Sequence, residues 1–95
     1  LAAIVTGAGG GLGFAIAQEL SRRGAAVLVN DYGGSVQGEG GGAERAEAAA
    51  AALRAEGGHA VANAIAVGTP DSARAIVAHA VVAFGKVDIL VNNAG

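Results

Sequence analysis

With 95 residues, the chain is long enough for one small domain, and its net charge of −2, without clustered lysine or arginine, argues against nucleic acid as a partner. Apolar residues make up 53% of the sequence, much of it alanine, but no apolar stretch is long enough to span a membrane and no secretory leader is visible. The absence of cysteine excludes disulfides and zinc–thiolate sites and fits a cytoplasmic location.

The first half of the chain predicts two buried strands with a helix between them. Residues 2–6 are apolar and partly β-branched and run directly into glycines, which favours a strand followed by a turn. Apolar residues then recur with helical spacing, and Gly24 is well placed to end the helix. Residues 25–30 are apolar without alternation, which is typical of a strand covered on both faces. The predicted apolar stripe of the helix is Leu12, Ala15, Ile16 and Leu20.

The second half predicts a glycine-rich loop, an alanine-rich helix, a third strand, an amphipathic helix and a fourth strand. These elements occupy residues 33–42, 43–56, 59–66, 70–84 and 87–91. The apolar stripe expected on the last helix consists of Ile76, Val77, Ala80, Val81 and Phe84.

This alternation of strands and helices implies parallel strands joined by right-handed crossovers. We therefore predict an α/β fold: a partial, doubly wound parallel sheet of the Rossmann type, with four strands in the order 3-2-1-4 and three helices. The glycine-containing turns would lie at the carboxyl ends of the strands, where such sheets bind ligands. Residues 1–95 would then be one half of a single domain, truncated before the other half.

Three glycines at the first turn have the spacing of a phosphate-binding motif, Thr6-Gly7-x-x-x-Gly11-x-Gly13. Gly7 would let the chain turn sharply, Gly11 would let a pyrophosphate approach the backbone, and Gly13 would let the helix pack close to the sheet. The helix N-terminus would add N–H groups and a partial positive charge. A glycine-rich turn without a ligand is the alternative, but the strand before it and the helix after it favour the phosphate site.

An acidic residue, Asp31, follows the second predicted strand, 18 residues after Gly13. This spacing is close to that of the carboxylate that hydrogen-bonds the adenosine ribose of a dinucleotide. A carboxylate there would repel a 2′-phosphate, and neither residues 32–36 nor residues 7–13 contain lysine or arginine. The sequence therefore predicts NAD rather than NADP, with an ordinary turn aspartate as the alternative.

A second motif, Asn92-Asn93-Ala94-Gly95, follows the fourth predicted strand. With both motifs in place, the chain resembles the short-chain dehydrogenase/reductase family over all 95 residues. Within that family, residues 29–34, 57–63 and 84–91 are similar to the 3-hydroxyacyl-CoA dehydrogenase domain of multifunctional β-oxidation enzymes, although bacterial relatives with unassigned substrates look similar.

The resemblance implies a role for each motif residue. The pyrophosphate and the nicotinamide ribose would be lined by Gly7, Gly11, Leu12 and Gly13. Asp31 would hold the adenosine ribose, and the cofactor would pass beside Asn92, Ala94 and Gly95. Asn92 would also tie the central strands together, with Thr6 hydrogen-bonded near it.

The resemblance also implies an activity for the whole protein: hydride transfer between NAD and a secondary alcohol or ketone, with a 3-hydroxyacyl thioester as a candidate small-molecule substrate. The family's serine and Tyr-x-x-x-Lys would lie downstream, so we assign no catalytic residue here, and no histidine has metal-ligand spacing. The single tyrosine, Tyr32, has no lysine at the required spacing. The full-length protein would be a homo-oligomer, cytoplasmic in a bacterium or peroxisomal in a eukaryote. A non-catalytic NAD-binding or sensing module is the alternative function.

One position departs from the family pattern. The resemblance leads us to expect an aspartate near the adenine after the third strand, but the matching residue is Ile65. A side-chain contact to the adenine amino group is therefore in doubt.

Overall fold

The computed structural model describes residues 1–32 and 41–93. Most of the predicted loop at 33–42, and the predicted cofactor contacts Ala94 and Gly95, lie outside the described residues. The strands are β1 (Ala2–Thr6), β2 (Ala26–Asn30), β3 (Ala60–Asn63) and β4 (Ile89–Asn92), and the helices are α1 (Gly11–Arg22), α2 (Gly41–Ala55) and α3 (Pro70–Phe84).

The four strands form one parallel sheet in the order β3-β2-β1-β4, which confirms the predicted topology. Thr6 at the end of β1 pairs in register with Asn30 of β2 and with Asn92 of β4, and Asn30 pairs with Asn63 of β3. A row of polar residues therefore closes the carboxyl edge of an otherwise apolar sheet. Because parallel strands share their direction, the turns that follow β1, β2 and β4 start from this same edge.

Helices cover both faces of the sheet, as the continuous apolarity of the strands predicts. On one face, α1 and α2 bury Ala17 and Leu53 against Val5, Val27 and Val29. On the other face, α3 buries a smaller cluster, formed by Ile4, Leu28, Ile76 and Ala80. We call these the large cluster and the small cluster.

The predicted stripe of α1 is wrong by about one residue around the helix. The buried residues are Gly13, Ala17 and Ser21, whereas Leu12 is 69% exposed. Three small side chains at i, i+4 and i+8 let the helix approach the sheet more closely than a leucine stripe would allow. Ile16 and Leu20 lie at the margin of the large cluster.

The third strand is shorter than predicted and ends at Asn63 instead of residue 66. The side chain of Asn63 accepts a hydrogen bond from the Ile65 N–H at 2.9 Å, and the Asn30 amide donates to the Ile65 carbonyl at 2.9 Å. These side chains take the backbone partners that a longer strand ladder would need, so the chain leaves the sheet.

The predicted stripe of α3 is half wrong, because Ile76 and Ala80 are buried while Val77 and Val81 are 43% and 44% exposed. The ends of α3 follow local rules: Thr69 and Ser72 form a capping box, and Gly85 ends the helix in the left-handed region. Two further bounds differ from prediction, since α2 starts at residue 41 and β4 covers residues 89–92.

Candidate functional site

The glycine turn between β1 and α1 has backbone angles that favour glycine. Gly7 has φ of 65° and Gly11 has φ of 58°, both in the left-handed region. The helix cap is Gly10, which has no side chain to accept hydrogen bonds from the first N–H groups of α1. These N–H groups and the helix dipole suit an anion at this turn.

The position of Gly13 leaves no room for a side chain. A Cβ atom there would lie 2.2 Å from the carbonyl oxygen of Gly7 and 2.7 Å from Nδ2 of Asn93. The first helical turn therefore packs directly on the glycine turn and on Asn93. At Gly11, by contrast, a Cβ would meet nothing within 4 Å, so the space above that residue is open.

The two sequence motifs are joined by hydrogen bonds across the ends of β1 and β4. The buried Thr6 hydroxyl lies 3.2 Å from Oδ1 of Asn92 and accepts the Asn93 N–H at 3.0 Å. The Asn93 side-chain amide donates to the Gly7 carbonyl at 3.2 Å. The expected contact between Thr6 and Asn92 is present. The role of Asn93 was missed, although it is the second residue of a four-residue motif whose other members were selected.

Asp31 extends from the end of β2 to the same turn. Its side chain is 8% exposed, and Oδ2 accepts the Gly9 N–H at 2.7 Å. A Cβ on Gly9 would lie 2.4 Å from that oxygen, so the close approach of the two residues requires glycine. The carboxylate is therefore held at the glycine turn by a backbone hydrogen bond, in addition to its place after β2.

A cation that sequence reasoning did not select lies beside this carboxylate. Nη2 of Arg45, on α2, is 3.7 Å from Oδ2 of Asp31, and the Arg45 side chain is 52% exposed. Nothing in the local sequence pattern indicates this contact, because Arg45 is separated from Asp31 by the glycine-rich stretch and reads, with Glu44 and Glu47, as part of a solvated helix face.

Other candidate residues take different positions. Tyr32 follows Asp31 and is 60% exposed. Ile65 packs at the margin of the small cluster. His79 lies 2.9 Å from the Asn63 amide through Nδ1, which gives it a structural partner. Among residues 1–32 and 41–93, no group of histidine and acidic side chains could hold a metal ion.

The opposite edge of the sheet carries one perturbed carboxylate. Asp88 accepts the Ala2 N–H at 2.8 Å and lies 3.2 Å from Nζ of Lys86. The backbone hydrogen bond and the ammonium group hold the pKa of Asp88 below its ordinary value. Because Asp88 joins the start of β1 to the segment before β4, its role is structural.

No helix in the described part of the chain is long and apolar enough to cross a membrane. This finding concerns residues 1–32 and 41–93 alone.

The whole chain is similar to known proteins. Residues 1–95 match the family described as short chain dehydrogenase. The chain is 49% identical, over 97% of its length, to peroxisomal multifunctional enzyme A of Dictyostelium discoideum, of which it covers 20%. It is 47% identical, again over 97% of its length, to peroxisomal multifunctional enzyme type 2 of Mus musculus, of which it covers 12%.

A solved structure gives the same result at the level of the fold. The structure of 7α-hydroxysteroid dehydrogenase complexed with NADH and 7-oxo glycochenodeoxycholic acid matches with a TM-score of 0.86 and 36% sequence identity. The match covers 99% of this chain and 33% of that protein. The chain therefore spans a minor part of each of these relatives.

Proposed function

The chain belongs to the short-chain dehydrogenase family, and from that premise we propose that residues 1–95 are the NAD-binding half of an oxidoreductase domain. The observation that carries the proposal is the meeting of three strand ends at one edge of the sheet. The glycine turn follows β1, the Asp31 carboxylate follows β2, and the asparagine motif begins at the last residue of β4. The carboxyl edge of a parallel sheet is where dinucleotides bind.

The glycine turn is suited to bind the pyrophosphate of a dinucleotide. The open space at Gly11 would admit the phosphate oxygens, and the N–H groups at the start of α1 would donate to them. Gly13 keeps that helix start close to the sheet. Leu12 is exposed at the same helix start, where we propose that it lines the nicotinamide-ribose side of the site.

Asp31 supports NAD as the preferred dinucleotide. Its carboxylate would accept hydrogen bonds from the ribose hydroxyl groups and would repel a phosphate on the 2′ oxygen. Its burial lowers the local dielectric, which makes both the attraction and the repulsion larger than on an exposed surface. We also propose that the cofactor passes beside Asn92, Ala94 and Gly95.

When bound, NAD supplies the hydride chemistry, and this chain's own residues bind and orient it. We propose a secondary alcohol or ketone as the substrate class. The resemblance to the 3-hydroxyacyl-CoA dehydrogenase domain of multifunctional enzymes supports a 3-hydroxyacyl thioester. The steroid dehydrogenase, solved with NADH and a 7-oxo compound, supports ketone chemistry. The catalytic serine, tyrosine and lysine, homo-oligomer formation and a cytoplasmic or peroxisomal location remain predictions.

The first experiment is a titration of the full product of the gene with NADH, followed by tests of hydride transfer with a 3-hydroxyacyl thioester and with simple secondary alcohols. We expect saturable NADH binding. The variant Gly13→Ala should weaken it by roughly tenfold or more, because the new methyl group displaces the start of α1 from the glycine turn.

A matched control is Gly68→Ala, which makes the same change where a Cβ meets nothing within 4 Å. It should bind NADH as the wild type does, and thermal melts of both variants would separate lost binding from lost folding. If the wild-type protein does not bind NADH, the proposal is wrong. If it binds NADH but transfers no hydride to any substrate, a non-catalytic NAD-binding module becomes the preferred function.

A further inference from the structure

Arg45 lies along the glycine turn as well as beside Asp31. A Cβ built on Gly9 would lie 3.0 Å from Cβ of Arg45, and a Cβ built on Gly10 would lie 3.4 Å from its Nη2. The aliphatic part of the side chain therefore passes Gly9, and the guanidinium ends between Gly10 and the Asp31 carboxylate. A side chain at Gly9 would crowd Arg45, whereas one at Gly10 would meet the guanidinium at ordinary contact distance.

The proposed cofactor would bring its adenosine ribose close to the Arg45 guanidinium. If Asp31 holds the adenosine ribose, the group on the 2′ carbon of that ribose lies within a few ångströms of the same carboxylate. A guanidinium 3.7 Å from Asp31, with about half of its side chain exposed, is then within reach of that group. Arginine is the side chain best suited to bind a phosphate, because its planar fork donates two parallel hydrogen bonds.

We propose that Arg45 is a specificity-determining residue that decides, together with Asp31, between NAD and NADP. With the carboxylate present, Arg45 serves as its countercharge and a 2′-phosphate is excluded. Without the carboxylate, the same guanidinium is released to bind a 2′-phosphate. Discrimination against NADP therefore depends on one carboxylate, and the cation that NADP binding needs is already in the chain.

The inference rests on the proposed function, and its test is a comparison of four proteins by binding alone. The full gene product would be titrated with NADH and with NADPH as the wild type, as Asp31→Asn, as Arg45→Gln and as the double variant. Asparagine keeps the volume of Asp31 and an oxygen for the Gly9 N–H while it removes the charge. Arg74→Gln, which removes an exposed arginine paired with Asp71 on α3, is the matched control.

For Asp31→Asn we expect NADPH to bind roughly tenfold or more tightly than it binds the wild type, as a charge-assisted pair with arginine replaces a repulsion. In the double variant most of that gain should vanish, while NADH binding should differ from that of Asp31→Asn by about twofold at most. The NADPH gain should also shrink as salt is added, because the phosphate lies at an exposed guanidinium. Arg74→Gln should match the wild type.

The proposal is overturned if the double variant binds NADPH as tightly as Asp31→Asn does, since Arg45 would then be a surface ion pair without a role in binding. That result would leave the proposed function intact, because the wild type would still bind NADH. If the wild type binds neither dinucleotide, both proposals are wrong. Asp31→Ser provides a second carboxylate-free background should Asp31→Asn not fold.

Discussion

By the resemblance, Ile65 takes the position at which an acidic residue near the adenine is expected. In the structure its side chain packs at the margin of the small cluster, and its backbone is held on both sides by Asn30 and Asn63. The backbone is thus fixed by neighbouring asparagines without help from the side chain. A carboxylate could therefore be introduced at this position without removing a hydrogen bond.

The substitution Ile65→Asp should tighten NADH binding by about threefold to tenfold, as expected for one added hydrogen bond to the adenine amino group. It should also lower the melting temperature, because a charge replaces a half-buried apolar side chain. Ile65→Ala removes the same packing without adding an acceptor and is the control. Equal dissociation constants for the two variants would contradict the expected adenine contact.

At the scale of elements, the amino edge of the sheet depends on Asp88. Its carboxylate binds the Ala2 N–H, while the Asp88 N–H donates to the Ala2 carbonyl at 2.8 Å. This pair of bonds closes the start of β1 onto the segment before β4. The ionised form of Asp88 is the one that accepts both the N–H and the Lys86 ammonium, which is why its pKa is lowered.

This lowered pKa gives a pH dependence with a definite sign. The folded protein holds the Asp88 proton less tightly than the unfolded chain does, so the stabilisation is complete above the unfolded pKa, near 3.8. It is lost as the pH falls below that value through the folded pKa. Urea unfolding of the wild type and of Asp88→Asn should therefore differ at neutral pH and converge in acid.

The variant Lys86→Gln separates the two causes of the shift. The hydrogen bond from the Ala2 N–H is the largest single cause and remains in this variant, so Lys86→Gln should keep part of the wild-type pH dependence in the same unfolding series. If Lys86→Gln removes the dependence as completely as Asp88→Asn does, the ammonium group and not the Ala2 N–H controls the titration.

At the scale of the molecule, the outer side of α3 and β4 is apolar and open. The exposed residues there are Val77, Val81 and Leu90, with exposures of 43%, 44% and 63%. A groove of about 200 Å³ runs between the helix and the strand. β4 is an edge strand next to this surface. An unpaired strand edge and an exposed apolar surface both favour association with another segment of polypeptide.

We expect the continuation of the chain to cover this side, since residues 1–95 correspond to 33% of the solved steroid dehydrogenase. Leu90→Gln should therefore lower the melting temperature of the full gene product by several degrees, through loss of about 1 kcal/mol or more of apolar burial. In a polypeptide of residues 1–95 alone, where Leu90 is 63% exposed, the same change should alter the melt less and reduce self-association.

Circular dichroism would measure the melting temperature, and sedimentation would measure self-association. Ala52→Gln, on the exposed side of α2, is the control and should change neither protein. A polypeptide of residues 1–95 that melts cooperatively as a monomer, together with an unchanged melt for Leu90→Gln in the full product, would contradict the expected cover.

The sequence by itself determined the order of the elements, the parallel sheet with its strand order, and the placement of the glycine turn and Asp31 at the carboxyl edge. These features depend on local signals: unbroken apolar runs, helical periodicity and glycines at turns. The sequence also carried the resemblance from which the NAD site and the activity are proposed.

Only the tertiary structure decided which side chains meet. The bond from Gly9 to Asp31 spans 22 residues, and the bond from Asn93 to Gly7 spans 86. The contact of Arg45 with Asp31, the early end of β3 at Asn63, and the burial of Gly13 and Ala17 in place of Leu12 depend likewise on packing between elements. Periodicity along one element cannot encode the distance to another, because that distance is decided by the side chains on both surfaces when they pack.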